Sequence, residues 1–155
     1  MTLRAALAAL ALLAGHPAAA QDLPPPVQAQ IDDARADCES FEAGDFSMTP
    51  DAVQQRDLTG DGVLDWVVDE SHMDCSSAAS MFCGTGGCEL SLIVGDRVAE
   101  TLARGWTVVD AFGRTVVLLD IHGALCGGIG PTPCVEALTW DPDNQRFTSV
   151  APPVQ

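Results

Sequence analysis

WTVVDAFGRTVVLLDI, residues 106–121, decides how this chain is read. Trp106–Phe112 and Thr115–Ile121 are two runs rich in β-branched and apolar residues, with Gly113-Arg114 between them at hairpin spacing. Turn residues between two such runs predict a pair of antiparallel strands. The second run, TVVLLDI, is apolar at successive positions, so both of its faces are apolar. A half-covered strand alternates apolar with polar, whereas a strand covered on both faces reads as a continuous apolar run. TVVLLDI is therefore the expected central strand.

The same signals extend in both directions from this hairpin. Ala52–Arg56, Leu64–Val68, Glu89–Val94 and Arg97–Leu102 read as strands before it, and Val135–Trp140 and Arg146–Val150 as strands after it. Gly95-Asp96 and Asp141-Pro142-Asp143-Asn144 supply the intervening turns. Near the start, VQAQIDDARADCESF spaces Val27, Ile31, Ala34 and Cys38 three or four apart among polar residues, which predicts an amphipathic helix ending before Gly44 and Pro50. The expected fold class is α+β: an N-terminal helix packed on an antiparallel β-meander and stabilised by disulfides. No 20 to 50 residue repeat is present, so a solenoid or propeller is excluded.

Met-Thr-Leu-Arg, an apolar run from Ala5 to Ala14, and His16-Pro17-Ala18-Ala19-Ala20 have the order of a secretory signal peptide cut after Ala20. The expected organisation is a signal peptide at 1–20, a Pro-rich linker at 21–26 and a single globular domain at 27–151, periplasmic or secreted. No run approaches the ~20 apolar residues of a membrane span. Without the leader, six basic side chains face 22 acidic ones, a net of −16 with His neutral, and Lys is absent. Such a field repels nucleic acid and anionic lipid and favours divalent cations or a basic protein or envelope partner.

All six cysteines fall after the leader, and an even count in an exported chain predicts a disulfide framework. Fifteen connectivities exist. Local spacing favours Cys83 with Cys88 across four residues and Cys126 with Cys134 across a Gly- and Pro-rich loop, leaving Cys38 with Cys75. A zinc site from Cys83, Cys88, Cys126, Cys134 or His122 is the competing reading, and it needs reduced thiolates.

Asp57-Leu58-Thr59-Gly60-Asp61-Gly62-Val63-Leu64-Asp65 carries side-chain oxygens at its first, third, fifth and ninth positions and Gly at its sixth. Calcium takes six to eight hard oxygens, and a tight turn with this spacing can aim Asp57, Thr59, Asp61 and Asp65, with the Val63 carbonyl, at one point. This stretch resembles the calcium loops of dockerins and of FG-GAP repeats, and the resemblance implies one calcium ahead of an apolar strand. Thr59 departs from the acidic third position, and Val68 stands where an EF-hand needs a bidentate Glu. The alternative is a Gly-Asp-Gly turn whose acids cap backbone amides.

Catalytic constellations are sparse. His122 could act as a general base with Asp120, and His72 with Asp69. Ser71, Ser76, Ser77 and Ser80 lie in no Gly-x-Ser-x-Gly elbow. CGTGGC at 83–88 lacks the Lys-Ser/Thr of a phosphate-binding loop, and Trp66, Trp106 and Trp140 sit in strand runs where packing is their default role. The leader, the Asp-rich loop, Phe82-Cys83-Gly-Thr-Gly-Gly-Cys88, Ile121-His122-Gly123 and Leu138-Thr139-Trp140 together resemble small exported proteins of proteobacteria that have no assigned activity. The expectation is a non-enzymatic extracytoplasmic binding or structural module, calcium-stabilised in one form of the reading. A secreted hydrolase or inhibitor using His122 is the alternative.

Overall fold

Three consecutive prolines open the described part of the chain. In the computed structural model, which describes residues 23–150, Pro25 and Pro26 form the first turn of helix α1, Pro25–Ser40. A first-turn residue needs no amide donor, so proline fits there. The expected linker at 21–26 is thus shortened by the helix; the expected signal peptide and residue 151 lie outside the described residues. Val27, Ile31, Ala34 and Cys38 form the buried stripe of α1, as their spacing predicts.

Eleven short strands follow, all paired antiparallel. They are β1 (Phe46–Met48), β2 (Val53–Arg56), β3 (Asp65–Asp69), β4 (Met73–Cys75), β5 (Cys83–Gly84), β6 (Gly87–Val94), β7 (Arg97–Ala103), β8 (Gly105–Ala111), β9 (Arg114–Asp120), β10 (Val135–Asp141) and β11 (Arg146–Ser149). The class is α+β, with one α-helix and antiparallel sheets. The second sheet is a meander, β8-β9-β10-β11. The first sheet is not: β3 pairs with β2 and β6, while both β7 and the short β5 pair with β6. Between β3 and β6 the chain leaves the sheet so that β4 can pair with β1.

The period-two alternation of strands sorts the first sheet's residues between two cores. Val67, Leu90 and Leu92 face Val117 and Leu119 of the second sheet, with Leu58 beside them. Their neighbours Val68 and Ile93 point the other way, onto Val27, Ile31 and Ala34 of α1. The layers therefore run helix, first sheet, second sheet. Arg104 turns the corner between the sheets; its guanidinium donates to the carbonyls of Gly130 and Ile121 and pairs with Asp120 at 3.3 Å.

All six cysteines are bridged, Cys38–Cys75, Cys83–Cys88 and Cys126–Cys134, so no thiolate is left for zinc. Cys38–Cys75 ties α1 to β4, and Cys83–Cys88 closes the β5–β6 turn. Among the described residues no helix is long and apolar enough to cross a membrane.

Candidate functional site

The Asp-rich loop joins β2 to β3 and is closed by its own backbone. Asp57 accepts from the amides of Gly60 at 2.6 Å and Gly62 at 2.9 Å, and Asp61 accepts from Val63 at 2.8 Å. Gly60 and Gly62 both adopt left-handed backbone, φ 82° and 84°, which explains glycine at each. Asp65 turns inward, 7 % exposed, and accepts from the Leu58 amide at 2.9 Å. Burial works against the charged form of Asp57, yet its amide donors outweigh it and hold the carboxyl below the usual range. Burial pushes the Asp65 carboxyl up, helped by the charges of Asp61 and Asp57. Among the described residues no three His, Cys, Asp or Glu side chains converge as metal ligands. The acids cap amides of the turn.

Neither expected His–Asp pair forms. His122 caps the short helix Gly123–Cys126, its Nδ1 accepting from the Ala124 amide at 3.3 Å. Gly130 packs on the far side of that ring, since a Cβ there would stand 3.0 Å from Nε2. Asp120 is paired with Arg104 instead. Asp69 accepts from the Ser71 amide at 2.9 Å and the Trp106 indole N–H at 2.8 Å, so its oxygens serve the wall beneath His72 rather than His72 itself. Ser76 accepts from the Asp45 amide and Ser77 donates to the Phe41 carbonyl, so both are structural.

One titratable group is strongly displaced. Burial, then the charges of Glu89, Asp37, Glu100 and Asp69, push Glu70 up to about 7. Burial and the charges of Glu100 and Asp37 also raise Glu89. These acids come from α1, β3, β6, β7 and the single-turn helix Glu70–His72, and the repulsion among them grows as Glu70 loses its proton.

The second sheet's outer face is the largest departure from expectation. β9 was expected to be covered on both sides, and Val117 and Leu119 do enter the inter-sheet core. Val116 and Leu118 point away from it and belong to neither core. With Val109, Ala137 and Val150 they line an apolar groove of about 460 Å³ that no described element covers. Phe112, on the β8–β9 turn, is fully exposed with positive φ. The signal for this face was present as the two-faced apolar run of β9. It points to a missing covering layer as well as to a central strand. No family model, curated protein or solved structure matches the chain, so the functional reading rests on this geometry.

Proposed function

We propose that the chain is a non-enzymatic extracytoplasmic binding module that docks an amphipathic helix, basic on its polar side, onto the outer face of its second sheet. The observation that carries this reading is the apolar groove lined by Val109, Phe112, Val116, Leu118 and Val150, where Phe112 and Val150 are exposed and Leu118 is half-buried. An apolar sheet face is stably covered by a helix or another sheet, and the first sheet of this molecule is covered by α1 in that way. Seven basic residues against 22 acidic ones make a basic rim the complementary one, whereas a second copy would bring a like-charged rim. Three disulfides suit an oxidising compartment outside the cytoplasm. Among the described residues His122 caps the Ala124 amide and Asp120 pairs with Arg104, so the two do not form an acid–base pair.

Three synthetic helical peptides test the proposal against the full chain: Leu-faced with Arg on the polar side, Leu-faced with Glu, and Arg-bearing with Gln in place of Leu. The first alone should bind. A Phe112→Gly, Leu118→Asn variant should lose at least tenfold in affinity with its unfolding temperature kept. Equal binding of all three peptides, or of none, rejects the proposal, as does a dimer seen by sedimentation that buries this face.

Calcium at the Asp57–Asp65 loop is the second reading. It is favoured by the nearness of Asp57 and Asp61 to Asp65, whose carboxyl their charges help push up, and by the lone pairs that singly bonded carboxylate oxygens retain. A midpoint raised by calcium over chelator, and lost in Asp61→Ala, would support it. An unchanged midpoint would leave the loop as a turn.

A further inference from the structure

A second recessed surface lies on the opposite side of β8 from that strand's pairing with β9. The two sheets part there, between the edge strand of each: β2 pairs only with β3, and β8 only with β9. Between them is a cleft of about 400 Å³. Gly105, Trp106, Thr107 and Val108 of β8 line it together with Gln54 and Arg56 of β2. An unpaired edge strand presents a row of free N–H and C=O groups, and an extended peptide can add to it as a further strand.

Its walls carry fixed chemistry. Asp69, 8 % exposed, holds the Trp106 indole N–H at 2.8 Å and so locks the ring as one wall. The Arg56 guanidinium stands 6.0 Å from the centre of that ring. Arg56 donates to the Gln55 carbonyl at 2.7 Å and to Gln54 Oε1 at 2.8 Å, and these bonds brace it while leaving donors free. Among the described residues the ion pair is Arg104–Asp120, so Arg56 has no carboxylate partner in a chain with 22 acids. A planar, braced, unpaired guanidinium at the end of a free strand edge is suited to a carboxylate.

We infer that this cleft is a peptide site: an extended segment pairs along the free edge of β8 and sets a carboxylate against Arg56. The carboxylate is a chain terminus or an acidic side chain. No residue lining this cleft lines the apolar groove, so the inference stands apart from the proposed function.

The test is fluorescence anisotropy with an N-terminally labelled tetrapeptide, Thr-Val-Thr-Val, against the full chain. Four further forms accompany the free acid: the C-terminal amide, an amide ending in Glu, and two forms N-methylated at alternate amides in opposite phase. The expected result is that the free acid, the Glu-ended amide or both bind at least tenfold tighter than the plain amide, and whichever does so names the carboxylate's source. One methylation phase should lose at least tenfold and the other should retain binding, because successive amides of a strand point in opposite directions. Arg56→Gln should abolish the preference for the carboxylate with an unchanged circular dichroism spectrum, and Phe112→Gly should leave it intact. Equal binding of acid and amides, equal binding of both methylated forms, or no binding at millimolar peptide overturns the inference.

Discussion

The two sheets of this molecule present outer faces that began alike and end differently. On the first, Val68 and Ile93 lie beneath Val27, Ile31 and Ala34, and Cys38–Cys75 ties the covering helix to β4. On the second, Val116 is 8 % exposed and Leu118 half-buried, and with the fully exposed Phe112 they line an apolar groove. The described residues thus form three layers, and the place of a fourth is where we propose that a partner docks. The difference teaches that an apolar strand face reports on what covers it, which on the proposed function is a partner's helix. The acids Glu70, Glu89 and Glu100 gather on the first sheet, whereas the one charged residue lining the second sheet's groove is Arg114, so the attraction for a basic helix comes from the net charge of the chain and not from the groove lining.

The covered face breaks most severely through its disulfide. Replacing Cys38 and Cys75 together by Ala releases a crosslink 37 residues apart and should cost about 4 kcal/mol by the chain-entropy account, read from urea unfolding. A loss below about 1 kcal/mol would show α1 held by packing alone.

Truncating one residue on each face sharpens the contrast. Ile31→Ala removes a side chain 2 % exposed and should cost about 2–5 kcal/mol. Leu118→Ala, half-buried on the open groove, should cost less than about 1 kcal/mol. Similar losses at both positions would mean that Leu118 already has a covering partner within the chain.

How far the sequence could be read follows from the same contrast. β-branched or apolar runs bounded by turn residues placed β2, β3 and β6 to β11 within a residue or two, with alternation visible in β7 and a continuous apolar run in β9. β1, β4 and β5 escaped: FSM, MDC and CG are too short to show a period, and they pair across distances that disulfides set. The local spacing of four cysteines left a third pair whose partner was correctly legible by elimination. Asp69 reads in the sequence as a partner for His72; it holds Trp106, 37 residues away, a contact that no local pattern encodes. The acids of the Asp57–Asp65 loop were legible as oxygen donors, but whether they turn to a cation or to amides depends on backbone the sequence does not print.

The smallest effect is a pH dependence confined to the helix-covered side. Glu70 titrates at about 7 in the fold against an ordinary 4.5, so between these values the folded chain keeps a proton that the unfolded chain has released. Stability from this group therefore falls as pH rises through that window and is fully present at its acid end. Glu70→Gln should raise the unfolding temperature at pH 8 and leave it nearly unchanged at pH 4.5. An equal shift at both pH values would assign the effect to packing rather than charge.

The central claim, that the second sheet's outer face is a docking surface, is tested most directly by methyl-resolved NMR of the full chain during titration with the Arg-bearing, Leu-faced helical peptide. The account predicts progressive shifts at Val109, Val116 and Leu118, with Val27, Ile31 and Val68 unmoved. Shifts centred on the α1 side, or no shift at Val116 and Leu118 at saturating peptide, would contradict it.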